Sequence, residues 1–489
     1  MLNVELRIPA LLLQELRDAL LKDDYRERYA YLECTHPHPD RFCVVAVHPV
    51  PDDQHWLSTP IRCQPAPDAE LDVIEACLWH DTHPVAIHSH TFEKYASFSS
   101  IDEVAMETYG DWFPDLAPEL TLGFGVLGCE NLRVSFLEEG RFSPVPVTVS
   151  GEWTLERPLM PTSVTDETIP GTPVEEPVVD AETYERHLRF LTKDGQHALA
   201  EAHVVIVGCG GLGSFLVEEV ARLGVTRLTL IDPDRVERSN LPRLLGAWED
   251  DIGEPKVQVA QQQVLRANPS ATTTLVFTPV EEAVDQLVDA DVIVAGVDRV
   301  STRLWLNQFA IKYQIPYVDT GTQIFVEDET VTGMVGAVQC IVPHVTGCYD
   351  CLSRGDMEQA RIEQMTETER EESVHRGYLE GTELAPGPAV IHLNGVVASL
   401  AVATVSKLVT QYGVPPALLY YDGLENSIEE LKAEPSEHCV TCSQDSILIP
   451  VRSGLEGDTK VSVAEMDASI LASEPVFPPA VSEFFDQVG

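Results

Sequence analysis

The chain has 489 residues, of which 44% are hydrophobic, so it is long enough to form two or three packed domains. It carries 79 acidic and 32 basic residues, and the resulting net charge of −47 repels nucleic acid phosphates and anionic membranes. We therefore expect no nucleic acid and no membrane among its partners, and we expect no apolar run to reach the length needed to span a bilayer.

The predicted elements divide the chain into four parts. The opening MLNVELRIPALLLQELRDALL predicts an amphipathic helix and not a signal peptide, because acidic residues come early and no basic leader precedes them. Residues 1–150 mix strand-like and helical segments, and residues 151–182, rich in proline, threonine and acidic residues, predict a linker. From 183 to 445 strands and helices alternate as in a Rossmann-like, doubly wound parallel sheet. Residues 446–489 form an acidic tail, either an edge strand or mobile.

Cysteine usage indicates the compartment. The 11 cysteines are an odd number, and four of them form two CxxC pairs. Without a recognisable export signal, this pattern favours metal binding in a reducing compartment over disulfide bonds. We therefore expect a cytoplasmic protein.

The stretch VAIHSHTFEKYASFSSIDE contains the first candidate site. His88 and His90 are two residues apart, so in an extended segment both imidazoles point to the same side. SSIDE predicts a helix start with Ser100 and Glu103 at capping-box spacing and Asp102 in the first turn. Two histidines, one carboxylate and a water are typical ligands of catalytic Zn²⁺, which activates the water while another carboxylate accepts its proton.

With this spacing, the first 145 residues or so resemble the JAMM (JAB/MPN-type) metalloproteases. That family removes ubiquitin-like proteins or trims their C-termini. The resemblance implies an α/β domain in which Ser99, three residues before Asp102, helps to hold the oxyanion. The gap between His90 and Ser99 is one residue longer than the family's commonest form, a small departure within a loop.

The same resemblance implies a glutamate upstream of the histidines as general base. Glu33, in the strand-like run YAYLECTH 55 residues before His88, is the predicted choice. Glu27 and Asp40 are the nearby alternatives.

The segment HVVIVGCGGLGS begins the second candidate site as a strand, a glycine turn and a helix. Four glycines let the backbone approach a phosphate at the helix N-terminus: Gly208, Gly210, Gly211 and Gly213. A second strand ends in Asp232, which can accept a ribose hydroxyl, and so far a dinucleotide dehydrogenase fits equally well. The polar and basic segments that follow, and Asp298 at another strand end, instead favour a triphosphate with Mg²⁺.

From 183 to 445 the chain closely resembles the ThiF/MoeB family, which includes the adenylation domain of ubiquitin-activating enzymes. The resemblance assigns the nucleotide site to the glycine turn, Asp232, Asn240, Arg243, Lys256 and Asp298. It implies that the C-terminal carboxylate of a ubiquitin-like protein attacks ATP to give an acyl-adenylate and pyrophosphate, with Asn240, Arg243 and Lys256 stabilising the phosphate charge. It also implies a homodimer formed through this domain.

Two CxxC pairs lie within the same region. They supply Cys348, Cys351, Cys439 and Cys442. Four thiolates close a tetrahedral Zn²⁺ site, which is then structural and not catalytic, and the long spacing is typical of the ThiF/MoeB zinc knot. Conjugating family members form a thioester on a cysteine after the first pair, but residues 352–438 contain no cysteine. The adenylate would then pass to another protein's thiol or to a sulfur donor.

Together these motifs predict a bifunctional enzyme for a β-grasp, ubiquitin-like partner. One site would cleave at the partner's C-terminus, and the other would activate the exposed carboxylate for a conjugating or sulfur-donor protein, with the linkage raising local concentration. Two alternatives stay open. The chain activates a sulfur-carrier protein for cofactor or cysteine biosynthesis without conjugation, with a peptide-modifying adenylyltransferase as a related possibility, or its first part is a JAMM-like docking module without chemistry.

Overall fold

Two eight-stranded β-sheets organise the protein in a computed structural model. The structure describes residues 4–22, 26–59, 62–91, 93–138, 140–150, 180–352, 360, 362–363, 365 and 387–443. The predicted tail and nearly all of the predicted linker lie outside these residues. The bounds of the four predicted parts therefore stay predictions.

Among the residues that the structure describes, the first half of the chain forms the first sheet, a small hairpin and three helices. Its strands are β1 (Glu5–Pro9), β2 (Tyr29–His38), β3 (Arg41–Pro49), β4 (His55–Thr59), β5 (Arg62–Pro65), β6 (His83–Ser89), β7 (Gly123–Leu127), β8 (Leu132–Glu138), β9 (Arg141–Val145) and β10 (Val147–Ser150). Its helices are α1 (Ala10–Leu20), α2 (Pro67–His80) and α3 (Ser100–Leu116). The sheet order is β10-β1-β3-β2-β6-β7-β8-β9, and β4 pairs only with β5.

The predicted N-terminal amphipathic helix is α1. Its buried residues Leu13, Leu16 and Leu20 follow helical spacing and pack into the core of the first sheet. On the other face of the sheet, α3 starts at an N-cap and brings its first turn to the end of β6. The cap is Ser99 with Asp102, one residue earlier than the predicted pair of Ser100 and Glu103.

The register of β2 against β6 decides which side chains lie near the two predicted histidine ligands. The strands are antiparallel, with Tyr29 opposite His88 and Glu33 opposite Pro84. The end of β6 that carries the histidines therefore meets the beginning of β2. Residues that precede β2 approach the candidate metal site, whereas residues farther along β2 lead away from it.

The second half forms the second sheet and seven helices among the described residues. Its strands are β11 (His203–Val207), β12 (Arg227–Ile231), β13 (Thr272–Val276), β14 (Val292–Ala295), β15 (Tyr317–Glu327), β16 (Thr330–Ile341), β17 (Leu418–Asp422) and β18 (Ser427–Leu431). Its helices are α4 (Glu185–Glu201), α5 (Gly213–Leu223), α6 (Lys256–Ala267), α7 (Val284–Leu287), α8 (Val300–Tyr313), α9 (Tyr349–Leu352) and α10 (Ile391–Thr410).

The second sheet is mixed, whereas the sequence predicted a parallel one. Strands β13, β12, β11, β14 and β15 run parallel, and β16, β17 and β18 extend the sheet antiparallel. Helices cover both faces, with α5 and α10 in one core cluster and α8 in the other. The Rossmann-like part of the prediction is confirmed, but short loops turn the chain back after β15 and after β17, which makes the neighbouring strands antiparallel.

Helix α10 is long and apolar enough to cross a membrane by length and composition alone. The expectation that no run reaches this length was wrong by that criterion. Its residues Val397, Ala401 and Val405 are fully buried in the core against the second sheet. Burial in that core explains the apolar composition, because a core helix needs apolar residues on most of its surface.

The two halves contact each other at the end of α8. Gln314, the left-handed residue that caps α8, donates from Nε2 to the carbonyl oxygen of Val44 in β3 over 2.6 Å. Arg7 in β1 donates to the Gln314 carbonyl oxygen over 3.3 Å. Val45 and Ala46 pack against the core beneath α8.

Candidate functional site

The first candidate site is the histidine cluster, which we define as His88, His90 and Asp102. The Nε2 atoms of His88 and His90 are 3.2 Å apart, and His88 Nε2 lies 3.0 Å from an Asp102 carboxylate oxygen. His90 Nε2 lies 3.5 Å from the other oxygen. Ligands bound to one zinc at about 2.0 to 2.1 Å in tetrahedral geometry are roughly 3.3 Å apart, so these three side chains fit the ion.

The helix start at α3 holds Asp102 in place. Asp102 N donates to Ser99 Oγ over 3.3 Å, and Ser99 N donates to an Asp102 carboxylate oxygen over 2.6 Å. Burial alone would raise the pKa of Asp102, but the adjacent imidazoles of His88 and His90 hold it well below its ordinary range. The carboxylate is therefore ionised, as a metal ligand must be. Ser99 lies next to the cluster, where its predicted role in holding an oxyanion stays a prediction.

Glu33, the predicted general base, does not lie at the histidine cluster. It is four residues beyond the β2 position that faces His88, which is about 13 Å along a strand. Its carboxylate is buried and accepts hydrogen bonds from the side chain of Thr82 and from the rings of two other histidines, His48 and His80. Burial would raise its pKa, but these bonds lower it. The interpretation of Glu33 as the base was therefore wrong.

Glu27 takes the place predicted for Glu33. It precedes β2, is 7% exposed, and its carboxylate forms no hydrogen bond within the described residues. Burial raises the pKa of Glu27 to about 7; the nearby His90 lowers it and Asp102 raises it further. A carboxyl with such a pKa can exchange a proton near neutral pH, as a general base must. The direction of the strands could have identified Glu27 from the sequence. In an antiparallel pair, the start of β2 meets the end of β6, so a residue just before β2 lies near the histidines.

The second candidate site surrounds the glycine turn between β11 and α5. Gly208 has a φ of +85°, which favours glycine, and a Cβ on Gly213 would lie 1.8 Å from the Gly208 carbonyl oxygen. A Cβ on Gly210 would meet nothing within 4 Å. The turn is thus tightly folded where it packs on the protein and open at Gly210, where a phosphate can approach backbone N–H groups.

Asp232 lies at the end of β12 and supports this turn. Its carboxylate accepts from the backbone N–H of Cys209 over 2.7 Å and from that of Asp234 over 2.8 Å. Burial raises its pKa, partly offset by the positive charge of Lys256. The residue predicted to accept a ribose hydroxyl therefore also fixes the backbone of the glycine turn.

Lys256 begins α6 and extends toward the same place. Its Nζ lies 2.7 Å from an Asp234 carboxylate oxygen. Burial would lower the pKa of Lys256, yet this pKa lies above its ordinary value. The responsible carboxylates are those of Asp232, Asp234 and Asp298. A charged ammonium group and a strand-end carboxylate therefore lie near the glycine turn, as the sequence predicted.

The loop after β12 contributes the remaining predicted residues. The side chain of Arg243 passes over Gly211, with its Cγ and Cδ 3.3 Å from the position of an added Cβ. The side chain of Asn240 forms a hydrogen bond within the loop, because its Oδ1 accepts from the Glu237 backbone N–H over 3.1 Å. Ser214 Oγ accepts from Leu245 N over 2.9 Å and ties this loop to α5. Arg243 therefore reaches the turn directly, whereas Asn240 shapes the loop that carries it.

The thiol cluster, Cys348, Cys351, Cys439 and Cys442, is a third site. Cys348 Sγ is 3.5 Å from Cys439 Sγ. Cys351 Sγ is 3.4 Å from Cys442 Sγ. Tetrahedral Zn–S bonds of about 2.3 Å place sulfurs roughly 3.8 Å apart, so the donor set fits Zn²⁺ with no position left open.

The thiol cluster is tied to α8 by Asn307. Asn307 Oδ1 accepts from the backbone N–H of Tyr349 over 2.9 Å. Its Nδ2 donates to Asp350 over 3.1 Å. The cluster is also part of the core that includes α8. These contacts indicate a structural role.

Comparison with known proteins bears on the second half of the chain. Residues 184–442 match the model of the ThiF family. Over 265 residues, the chain is 31% identical to the molybdopterin-synthase adenylyltransferase of Escherichia coli, covering 53% of this chain and 93% of that protein. It is 28% identical over 282 residues to the SAMP-activating enzyme E1 of Haloferax volcanii, covering 55% of this chain and 92% of that one.

A solved structure of Escherichia coli MccB is also similar, with 24% identity and a TM-score of 0.44 over 59% of this chain and 77% of that one. Similarity at this level carries no functional argument. The family match contains the glycine turn and all four thiols but not the histidine cluster. The resemblance of the first half to JAMM metalloproteases therefore depends on its own residues and geometry.

Proposed function

Because the chain belongs to the ThiF family of adenylyltransferases, we propose that its second half uses ATP to adenylate the C-terminal carboxylate of a ubiquitin-like or sulfur-carrier β-grasp protein. The observation that carries this proposal is the approach of Lys256 and Arg243 to one glycine turn, with Asp298 near Lys256. Relatives named for molybdopterin synthase and for SAMP activation support the choice of substrate class. We also expect a homodimer formed through this domain, as the resemblance to the ThiF/MoeB family implies.

The reaction joins the partner's terminal carboxylate to the α-phosphate of ATP. The carboxylate oxygen forms the new bond to phosphorus, and the bond to the β-phosphate breaks, so pyrophosphate leaves with the negative charge. Arg243 and Lys256 lie where they neutralise that charge. Asp298 would hold Mg²⁺, which shields the phosphates when bound.

We further propose that the first half is a zinc peptidase that trims the same kind of partner. His88, His90 and Asp102 would hold Zn²⁺, which when bound polarises a carbonyl and lowers the pKa of its water ligand. Glu27, buried beside His90 with a pKa of about 7, would accept the water's proton and deliver it to the leaving amine. This carboxylate favours a peptidase over a docking module, because a docking module needs no poised base.

Both reactions act on the end of one polypeptide tail. Cleavage after the C-terminal glycine of the mature β-grasp partner produces the free carboxylate that adenylation consumes. Placing both sites in one chain raises the concentration of the trimmed product at the nucleotide site. The two halves also contact each other through hydrogen bonds at Gln314.

A second candidate is activation for sulfur transfer without conjugation. Residues 352–438 contain no cysteine that could form a thioester. Two relatives are named as adenylyltransferases of sulfur carriers, from Thermus thermophilus and Bacillus subtilis. In this case the adenylate reacts with a sulfur donor, and no covalent bond forms between this chain and the carrier.

ATP–pyrophosphate exchange tests the proposal. With a β-grasp protein that ends in Gly-Gly, the wild-type chain should catalyse exchange, and Asp298→Ala should abolish it without affecting trimming of a precursor. The precursor itself should support exchange only when Glu27 is intact. If no β-grasp protein, trimmed or untrimmed, supported exchange by the wild-type chain, the adenylation proposal would be rejected. If Asp298→Ala lost both exchange and trimming, the proposal of two separate sites would be rejected.

Zinc content separates the peptidase from the docking module. Two zinc ions per chain are expected, one in each cluster, and His88→Ala should leave one. A single zinc in the wild-type chain, unchanged in His88→Ala, would favour the docking module.

A further inference from the structure

Asn394, in the first turn of α10, approaches Gly211 of the glycine turn and is not among the assigned nucleotide-site residues. The residue is 3% exposed. A Cβ added to Gly211 would lie 2.7 Å from Asn394 Nδ2. The same Cβ would lie 3.3 Å from Cγ and Cδ of Arg243. A long stretch of chain separates Asn394 from the turn, and the packing of α10 against α5 and the second sheet brings them together.

The orientation of the Asn394 amide is set by its other end. Thr322 in β15 donates from its hydroxyl to Asn394 Oδ1 over 3.2 Å. An amide that accepts on its oxygen must present its two N–H donors in the opposite direction. Within the described residues Nδ2 has no hydrogen-bond acceptor, although the rest of the side chain is enclosed. Nδ2 is the part of this side chain that is not enclosed, so a ligand bound beside the turn can accept its hydrogen bond.

The immediate surroundings of Nδ2 favour a negatively charged oxygen. The guanidinium group of Arg243 forms no ion pair or hydrogen bond among the described residues, and its stem lies on Gly211 beside the amide. Beside Gly211, the position of Gly210 is open for 4 Å. An amide donor, an uncommitted guanidinium group and the backbone N–H groups of the turn thus border one open space. Such a set of donors recognises an oxyanion.

We propose that Asn394 Nδ2 donates a hydrogen bond to an oxyanion bound on the glycine turn, and that Thr322 is the residue that positions it. This inference rests on the proposed adenylation. The oxyanion is either a phosphate of MgATP or the terminal carboxylate of the β-grasp protein. Both offer the same acceptor chemistry, and the experiment distinguishes them.

Asn394→Asp is the sharpest variant, because it keeps the shape and replaces the N–H donors by a charged oxygen. Asn394→Leu removes the donor without adding charge. Calorimetric titration with MgATP alone should show a Kd raised roughly 10- to 100-fold in Asn394→Leu, and more in Asn394→Asp, if the acceptor is a phosphate. An unchanged Kd for MgATP with a similarly raised KM for the β-grasp protein in exchange would identify the carboxylate.

Thr322 supplies the test of positioning. Thr322→Val should reproduce part of the same increase because the amide can then rotate, and Thr322→Ser should restore wild-type binding. Ser399→Ala, which removes a hydroxyl from α10 bonded to Glu219 and away from the turn, is the matched control and should change neither constant.

The inference would be overturned if both Asn394 variants had wild-type Kd and KM values while thermal unfolding showed that they are folded. That result leaves the proposed function standing if the wild-type chain catalyses exchange. Failure of the wild-type chain to exchange, with MgATP still bound more weakly by the Asn394 variants, would reject the proposed function alone.

Discussion

The histidine cluster offers three ligand atoms, and a second carboxylate, Glu27, lies nearby but is not a ligand. The thiol cluster offers four ligands and is enclosed by core residues beside α8. Both donor sets suit zinc. A tetrahedral ion in the first cluster keeps one position for water or substrate, whereas an ion in the second keeps none.

The difference extends to the polypeptide that supplies the ligands. The histidine cluster comes from one strand end and the next helix start, so its ligands lie within 15 residues of sequence. The thiol cluster joins residues more than 85 positions apart and thereby fastens two distant segments. Loss of zinc should therefore stop a reaction in the first case and loosen the fold in the second.

The largest expected effect is the loss of one thiol. Cys439→Ser should lower the zinc content from two to one per chain and destabilise the second half by more than about 4 kcal/mol, because the link between the segment after β18 and α9 is lost. Thermal unfolding monitored together with zinc analysis measures both. Retention of two zinc ions and an unchanged transition would mean that the thiol cluster is not a structural zinc site.

Glu27→Gln should have the next largest effect, a loss of trimming activity of roughly 100- to 10,000-fold, because the proton acceptor is removed. Zinc content should stay at two, since Glu27 is not a ligand. The measurement is cleavage of a β-grasp precursor with extra residues after Gly-Gly.

Glu33→Gln is the matched control for this variant. It removes an equally buried carboxylate of the same half, and the bonds to His48 and His80 weaken. Stability should fall, but trimming should persist at temperatures where the chain is folded. Equal loss of trimming in both variants would show that proximity to the zinc does not separate the two glutamates.

These two glutamates also show where sequence reasoning succeeds and where it stops. His88, His90 and Asp102 are recognisable because a strand and a helix cap fix their directions locally. The choice between Glu27 and Glu33 depends on strand register, which is set by pairing between β2 and β6 and is not encoded in either segment alone.

The second half repeats this lesson. The glycine turn and the CxxC pairs were predictable because each is a short motif whose function depends on its own spacing. The antiparallel strands β16 to β18 and the approach of Asn394 to Gly211 depend on how distant segments pack. No periodicity within either segment reports such packing, so these features emerge only from the structure.

A smaller effect concerns the pH dependence of the stability of the first half. Burial lowers the pKa of His83 to about 4, and its Nδ1 accepts from Thr121 N over 2.9 Å, which requires the neutral ring. The unfolded chain, with an ordinary pKa of 6.5, binds more protons between these values, so stability falls as pH falls from 6.5 to 4. The expected loss is about 2 to 3 kcal/mol, allowing for partial exposure.

His83→Asn tests this expectation, because the asparagine oxygen can still accept from Thr121 while the titrating group is gone. Unfolding of the first half should become less dependent on pH over that range. A residual dependence is expected from His36, whose pKa is also lowered by burial. An unchanged slope in His83→Asn would show that the ring is already charged in the folded protein.

The smallest effect concerns the contact between the halves. Gln314→Ala removes the bond to Val44 and leaves that carbonyl oxygen without its donor, so the chain should be destabilised by about 1 to 2 kcal/mol. Gln411→Ala is the matched control, because Gln411 caps α10 with a similar positive φ of 55°. Alanine strains both backbones alike, and the difference between the variants isolates the side-chain bond. If Gln314→Ala splits one unfolding transition into two, the halves stabilise each other through this contact. Equal effects of the two variants would mean that the side-chain bond from Gln314 to Val44 does not stabilise the chain.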